Sequence, residues 1–448
     1  MHSSSGRPTI ALLPWGDVFE DFLDTIGVSL DTFCNELTGG WLFGYVEALH
    51  LRGIHAVVII FSAQVSAPVR RTHAPTGATI CILPSPKLYR ILSRTITKSY
   101  GAISRIQHRL HPIRHLLNLL LQSLERFASY LSTPMGSLAR ELDDLGCDAV
   151  ICQEYEYARF DLCVLLGFFT KIPVFATFQG GVRNRGMIGR WLRAAIIRTS
   201  AGLIIGPQSE AERVYTYYRV PSAKIARIFN PLDLRLWKAV DRETVRTALQ
   251  IPLAARVVVW HGRISIHHKG LDILLDAWEH ICSEHREREL RLLLIGTGQD
   301  AQEFRRRLEA RQLPGIQWVN EYLRDRVMIQ QHLSVGDVFA FASRFEGFAV
   351  APLEAMACGL PVVATRVAGI PDIFEGGEAS GGIVVPCEDP KQLALMLLRL
   401  LDDVALSRKL GRCARQRVEA AFSLEAIGQQ LSHVLIADAE SRDQVAPY

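Results

Sequence analysis

The chain of 448 residues is 49% hydrophobic and 21% charged with a formal net charge of +4, ordinary values for a globular protein with room for two hydrophobic cores. No apolar run reaches the ~18 residues a bilayer span needs, and the polar start Met1–Pro8 lacks a signal peptide's apolar core, so the expected location is cytoplasmic. Nine cysteines, an odd number without a CxxC pair, argue against a disulfide framework or a zinc site and for reduced thiols.

Short apolar runs alternate with helix-like stretches along the chain. In the first half these are Thr9–Leu13, Ala56–Phe61, Ala78–Leu83, Ala149–Cys152, Pro173–Phe178 and Leu203–Ile205. In the second they are Arg256–Trp260, Leu292–Ile295, Val338–Phe341, Pro361–Thr365 and Ile383–Val385. Continuous Val/Ile/Leu/Ala runs bounded by Gly or Pro read as parallel strands buried on both faces. Their alternation with helices predicts βαβ units and doubly wound sheets. Eleven such runs exceed what one sheet usually carries. Turn chemistry at Asn230-Pro231-Leu232-Asp233 marks the break. The reading is an α/β chain of two doubly wound parallel-sheet domains, residues 1–229 and 230–425. Residues 426–448 are expected to form a C-terminal helix that packs back towards the first domain.

Two stretches of the first half are uneven in charge. Residues 14–38 form a long connection rich in acids (Asp17, Glu20, Asp21, Asp24, Asp31 and Glu36), which reads either as a solvated surface insertion or as a functional loop. From Leu51 to Leu124 there is no acid, but there are ten Lys or Arg. Within that stretch residues 87–115 read as basic amphipathic helix interrupted at Pro112. Such a helix suits either a peripheral contact with an anionic membrane face or a solvated surface complementing the acidic 14–38 insertion. The second reading is preferred. Sparse stacking aromatics and the small net charge argue against nucleic acid.

In open α/β sheets ligands bind beyond the carboxyl ends of the strands. There the chain places His261-Gly262-Arg263 and Lys269-Gly270, then Gly296-Thr297-Gly298, then Arg344-Phe345-Glu346-Gly347-Phe348. In the first half Gln179-Gly180-Gly181 and Gln153-Glu154-Tyr155-Glu156 hold the equivalent places. Helix N-termini attract anions, and glycine lets backbone approach a phosphate. Arg263 and Lys269 add fixed positive charge, so together these elements suit a diphosphate. Glu354 should lie two turns into a helix that stops at Cys358-Gly359-Leu360-Pro361. A carboxylate among Leu353, Ala355 and Met356 is costly to bury without hydrogen-bond donors, and a ribose diol supplies two.

His261-Gly262-Arg263, Lys269-Gly270-Leu271-Asp272 and Glu346-Gly347-Phe348, followed by Pro352-Leu353-Glu354-Ala355-Met356-Ala357-Cys358-Gly359-Leu360-Pro361, resemble the retaining glycosyltransferase family 4, whose fold is called GT-B. Gly369-Ile370-Pro371-Asp372 and Gly382-Ile383-Val384-Val385 continue the likeness, and Gly39-Gly40-Trp41 resembles the family's Gly-Gly loop. The resemblance implies two Rossmann-like domains facing a cleft, the second holding a nucleotide-sugar donor and the first an acceptor that the sequence does not identify: a small molecule, a glycan or a lipid-linked compound. It implies Arg263, Lys269 and Glu346 as catalytic residues. Gly39, Gly40, Gly262, Gly347, Phe348 and Glu354 would contact the donor, and Gln179, Glu154 and Glu156 would stand on the acceptor side. It further implies that no metal and no cofactor is required, and that any peripheral membrane contact is at the inner membrane face. Many members carry a His where this chain has Gln179, and a glutamine cannot act as a base. Two alternatives stay open: a catalytically silent sugar-nucleotide-binding subunit, and a nucleotide-sugar epimerase of the same fold.

Overall fold

The computed structural model describes residues 7–104, 111–180, 187–285, 289–323 and 325–443. Among the described residues fourteen strands form two sheets. The first sheet holds β1 (Thr9–Leu13), β2 (His55–Ser62), β3 (Val69–Thr72), β4 (Thr79–Pro84), β5 (Ala149–Gln153), β6 (Val174–Thr177), β7 (Gly202–Ile204) and β8 (Ile225–Ala226) in the order β3-β4-β2-β1-β5-β6-β7-β8. Only β3 runs antiparallel to its neighbour. The second sheet holds β9 (Arg256–His261), β10 (Leu290–Ile295), β11 (Ile316–Val319), β12 (Val338–Phe341), β13 (Val362–Thr365) and β14 (Gly382–Val385) in the order β11-β10-β9-β12-β13-β14, all parallel.

The chain leaves each sheet's starting strand in one direction and later returns to its other side. The reversal lies between β1 and β5 in the first sheet and between β9 and β12 in the second. Those two points are where a doubly wound sheet opens a crevice at its carboxyl edge. Leu12 is buried and pairs with Val58 on one side and Ile151 on the other, as a strand covered on both faces must. Each of the eleven apolar runs coincides with a strand to within two residues at either end. The three further strands, β3, β8 and β11, stand at sheet edges. Their residues are exposed or half-buried, so they lack the continuous apolar signature of a doubly covered strand.

The chain divides into two compact units. One comprises the chain up to Ile205, Ala211–Ile228 and the chain from Gly428 on; the other comprises Gly206–Glu210 and Phe229–Ile427. The last helix, Leu424–Asp443, carries Gly428 against the helix Gly40–Leu51: a Cβ there would stand 2.4 Å from the Ala48 carbonyl oxygen.

Residues 14–38 are not a solvated insertion. They form the helices Phe19–Ile26 and Leu30–Asn35 and bury Phe19, Leu23, Phe33 and Cys34. Phe33 meets Phe19 edge-on at 4.6 Å and Phe43 at 5.2 Å. Asp21, Asp24, Asp31 and Glu36 are exposed, whereas the half-buried Asp17 accepts from Tyr157 and Ser129 and Glu20 accepts from Ser62. The basic stretch becomes two helices, Lys87–Ser104 and His111–Leu131, with residues 105–110 outside the described residues. Tyr89, Ile96 and Ala128 pack with Val18 in a small cluster of their own. Arg71, further back in the same acid-free stretch, pairs with Asp31.

Candidate functional site

At the switch point of the second sheet, close backbone approaches bring three loops together. Gly270 ends the loop after β9 and opens the helix Leu271–Glu284 with a φ of +59°. A Cβ at this position would stand 1.9 Å from the Ala342 carbonyl oxygen, at the start of the loop after β12. Only glycine allows both that dihedral and that contact. The Gly-Thr-Gly turn after β10 serves the same packing. A Cβ on Gly296 would be 2.0 Å from the Gly262 oxygen, and one on Gly298 would be 2.3 Å from the Ile264 oxygen. These two glycines let the turn close on its neighbouring loop, a reason for their presence that holds without any phosphate.

Arg344 fastens the arrangement. Its guanidinium forks onto Asp272 at 2.7 and 2.8 Å, reaches Glu388, and donates to the His267 carbonyl at 2.9 Å. Such bidentate charge-assisted bonds fix geometry well. The exposed Phe345 ring lies about 6 Å from the rings of His267 and His268.

On this frame Lys269 Nζ donates to Glu346 Oε1 at 2.7 Å. Arg263 is exposed on the same loop and takes part in no described ion pair or hydrogen bond. Gly347 and Phe348 are half-buried beside Glu346, and the Phe348 ring packs 5.5 Å from Phe229. Glu354 stands on the helix Val350–Ala357 with its carboxyl 3.7 Å from His261 Nε2. Burial pushes the Glu354 carboxyl up to about 7, with Arg326 opposing. Burial, with Lys269 and His332 adding repulsion, drives His261 down to about 4. His261 Nδ1 is buried and has no hydrogen-bond partner among the described residues. At neutral pH this site therefore holds a neutral imidazole beside a carboxyl near its midpoint, with Arg326 acting on the carboxyl and Lys269 on the imidazole. Such perturbed groups gathered at a strand end mark a candidate site. Among the described residues no three His, Cys, Asp or Glu side chains gather to hold a metal ion. Arg326 and His332 were not singled out in the sequence; they enter from a neighbouring helix, Arg326–Ser334, whose residues carry no local motif.

The first unit treats its polar residues differently. Gly39 and Gly40 adopt φ values of +69° and +61° at the start of the helix Gly40–Leu51. Gln179 donates its amide to Glu154 at 2.9 Å and its side chain to Thr177 at 2.9 Å. Glu154 is buried in the left-handed conformation. Glu156 is turned inward, accepting from Arg213 and from the Tyr218 hydroxyl. Glu154 and Gln179 thus stand together at the ends of β5 and β6, while Glu156 belongs to a packed cluster with Tyr155, Arg213 and Tyr218.

The sequence reading missed Trp15 and Arg159. Trp15 is 45% exposed within an otherwise buried run after β1. Its amide donates to Gln153 at 2.8 Å, and its ring lies 6.1 Å from Tyr157. Arg159 is buried, lies over Phe61, and donates to the Pro14 and Gly16 carbonyls, so it anchors the loop that carries Trp15. An aromatic directly after a strand's closing proline was the available signal for Trp15; nothing local distinguishes Arg159.

Comparison with known structures places this architecture among GT-B proteins. HepE of Anabaena, crystallised in complex with UDP, superposes with a TM-score of 0.66 at 15% identity, covering 96% of this chain and all of that one. Residues 255–403 match the family described as Glycosyl transferases group 1. A D-inositol 3-phosphate glycosyltransferase of Jonesia denitrificans is 29% identical over 238 residues, 50% of this chain and 54% of that protein. A GDP-mannose-dependent monoacylated α-(1-6)-phosphatidylinositol monomannoside mannosyltransferase of Corynebacterium glutamicum is 28% identical over 227 residues, 49% of this chain and 56% of that protein. The match thus spans about half the length of these curated relatives. The chain thus has the GT-B fold, and its segment 255–403 is similar to the glycosyl transferases of group 1.

Proposed function

We propose that the protein moves a glycosyl group from a nucleotide diphosphate sugar to an acceptor hydroxyl, with retention at the anomeric carbon and without a metal ion. The observation that carries the reading is the grouping at the β9 and β12 ends: Lys269 bonded to Glu346, Arg263 on the same loop as Lys269, and Glu354 on the helix Val350–Ala357 with its carboxyl 3.7 Å from His261. It falls inside the segment that matches the glycosyl transferase family. In this reading Arg263 and Lys269 stabilise the charge that grows on the departing diphosphate, the kind of term that dominates many enzymes' rate enhancements. Glu346 holds Lys269 in place and, with the backbone of Gly347 and Phe348, faces the sugar. Glu354 accepts from the ribose hydroxyls. The bond from the anomeric carbon to the phosphate oxygen breaks as the bond to the acceptor oxygen forms on the same face. The acceptor proton passes to the departing phosphate, so Gln179 need not act as a base. UDP bound to HepE and GDP-mannose in the name of the mannosyltransferase support a nucleotide diphosphate donor.

The test is a screen of purified protein against UDP-, GDP- and ADP-sugars. A ligand of the native state raises stability by RT ln(1 + [L]/Kd), about 2.7 kcal/mol at a hundredfold excess over Kd. The donor found in this way should support transfer in EDTA. Loss of transfer on chelation, restored by manganese or magnesium, overturns the metal-free part. The feature that favours a second reading, a silent sugar-nucleotide-binding subunit, is Gln179 tied to Glu154 and Thr177. Nucleotide-sugar binding with no transfer or donor hydrolysis would establish that reading, and no stabilisation by any of the nucleotide sugars overturns both.

A further inference from the structure

The strands of the second sheet send successive side chains to opposite faces. On β9, Val258 and Trp260 join the core on one side. Val257 and Val259 join the core on the other, together with Leu353, Ala355 and Met356 of the helix Val350–Ala357. His261 ends the strand and continues the side of Val257 and Val259. The period of two therefore aims an imidazole at the helix that carries Glu354. The two side chains meet there, 18% and 14% exposed, with His261 Nε2 3.7 Å from the carboxyl. Among the described residues the Glu354 carboxyl accepts no hydrogen bond, and no other basic side chain stands within ion-pair reach of it.

An imidazole in this place has three forms. The doubly protonated form is disfavoured by burial and by the charges of Lys269 and His332. A proton on Nδ1 alone leaves a buried N–H with nothing to accept it, because Nδ1 has no hydrogen-bond partner among the described residues, and a buried unpaired donor is costly and rare. A proton on Nε2 alone leaves Nδ1 an unpaired acceptor, the commoner fault, and points a donor at the carboxyl. The surroundings therefore favour the Nε2–H form. At 3.7 Å the pair is somewhat beyond hydrogen-bond length. The last torsion of a glutamate is broad, so its carboxyl can turn to the ring at little cost. A bond to an ionised acceptor is the stronger, charge-assisted kind. The other groups that face the pair are Arg326 and His332 on the helix Arg326–Ser334, Lys269 on the loop after β9 and the Cys358 thiol just past the helix of Glu354.

We propose that His261 is a positioning residue of the donor site: its Nε2–H bonds one oxygen of the Glu354 carboxylate and leaves the other turned to the ribose hydroxyls of a nucleoside diphosphate. The inference rests on the donor-site reading given above and adds to it the group that aims Glu354. A glutamate held in this way has its orientation fixed before the ligand arrives, which cuts the ordering cost of binding. The bond also favours the ionised carboxyl over the neutral one. It thus counters the burial that pushes Glu354 upward.

Calorimetric titration of the full chain tests it, with whichever of UDP, GDP and ADP the wild type binds and with the 2′,3′-dideoxy analogue of the same nucleotide. His261→Phe keeps a ring and removes the donor, whereas His261→Gln keeps a donor near the place of Nε2. The Phe variant should bind the ribonucleotide about tenfold more weakly, the scale of one hydrogen bond to a charged group. It should bind the dideoxy analogue as the wild type does. The Gln variant should stay within about threefold of the wild type for both. The pH midpoint of ribonucleotide binding should rise by about one unit in the Phe variant, whose carboxylate has lost a donor. Nitrogen-15 spectra of the wild type, with the His261 signals assigned by their loss in the Gln variant, should place the proton on Nε2, and this reading needs no folded Phe variant. A folded Phe variant with wild-type affinity and midpoint, an equal loss for both nucleotides, a Gln variant as weak as the Phe variant, or a proton on Nδ1 each overturn the role of His261 and leave the donor-site reading standing. A wild type that binds none of the three nucleotides removes the donor-site reading, and one that binds the dideoxy analogue equally well removes the ribose contact of Glu354; either result takes the inference with it.

Discussion

At the switch point of the second sheet, the loops after β9 and β12 meet through glycine contacts and largely buried ion pairs, and Arg263 stays exposed beside them. At the switch point of the first sheet, a buried arginine ties the loop after β1 from within, and the carboxylates after β5 are engaged by neighbouring side chains or backbone. The difference concerns what each rim has left to offer a ligand. The second sheet keeps one exposed, unengaged cation, Arg263, on a frame that tolerates no Cβ at Gly270, Gly296 or Gly298. The first spends most of its charge on holding itself, and exposes an indole.

The strongest way to break that contrast is at the glycines. Gly270→Ala places a Cβ 1.9 Å from a backbone oxygen at a φ of +59°, so the expected cost is roughly 3–5 kcal/mol, strain and overpacking together. Gly40→Ala has a similar φ of +61° but nothing within 4 Å, so only the backbone strain remains, about 1 kcal/mol. Urea melts of the two variants should separate clearly, and equal losses would show that the close approach at Gly270 is not what holds the second rim.

Next in size is charge. Lys269→Ala should lower turnover by about 10²-fold, the scale of one lost electrostatic contact to a developing charge. The protein should remain folded, because Lys269 bonds only at the rim, to Glu346. A folded variant with near-normal turnover would remove Lys269 from the proposed diphosphate site.

How legible each rim was follows from the same contrast. Around Gly262, Lys269, Glu346 and Glu354 the chemistry sits in short contiguous motifs, because the loops that carry it must pack backbone to backbone, which restricts them to glycine at set positions. The sequence therefore showed the grouping, although the reason for Gly296 and Gly298 is loop packing. Arg326 and His332 were invisible because a helix three-dimensionally adjacent to β9 brings them in. In the first unit Glu156 looked like Glu154 in the sequence, two residues away at the same strand end. Only the partners distinguish them, and Arg213 and Tyr218 lie more than fifty residues on. Strands β3, β8 and β11 escaped because edge strands need no unbroken apolar run.

A smaller and sharper test uses pH at Glu354. Its carboxyl is held near 7 in the folded protein, above the ordinary 4.5. The native state therefore binds this proton more tightly than the unfolded chain, and stability falls as pH rises from about 4.5 to 7, by on the order of 3 kcal/mol. Glu354→Gln removes that loss, so the empty variant should melt above the wild type at pH 8 and converge with it towards pH 4.5. His261, held near 4, acts in the opposite sense: its stability contribution is lost as pH falls from 6.5 towards 4. It is common to both proteins, so their difference isolates Glu354. If the ionised carboxyl accepts from ribose, the wild type's Kd for the nucleotide diphosphate should rise about tenfold for each pH unit below 7. At pH 8 Glu354→Gln should weaken binding about ten- to a hundredfold, the worth of a hydrogen bond to a charged group. A Kd indifferent to both pH and the substitution would make Glu354 purely structural.

The smallest effect belongs to the first unit. Glu156→Gln keeps an acceptor for Arg213 and the Tyr218 hydroxyl but removes the charge, and should cost about 1–2 kcal/mol of stability. Turnover per folded molecule should not change. A turnover loss of tenfold or more with unaltered melting would return Glu156 to the acceptor side.

The helix that closes the chain has a consequence for synthesis. Gly428 sits on Ala48 so closely that no other residue fits, and the segment from Gly428 on completes a unit whose preceding piece ends at Ile228. On the ribosome the intervening stretch Phe229–Ile427 takes on the order of 10–40 s to make at ordinary elongation rates. Throughout that time the flank of helix Gly40–Leu51 lacks Gly428, and the last strand of the second sheet, ending at Val385, is made before that residue. Vectorial folding therefore finishes the second unit first, and the nascent first unit is the part of this protein that a chaperone would have most time to meet.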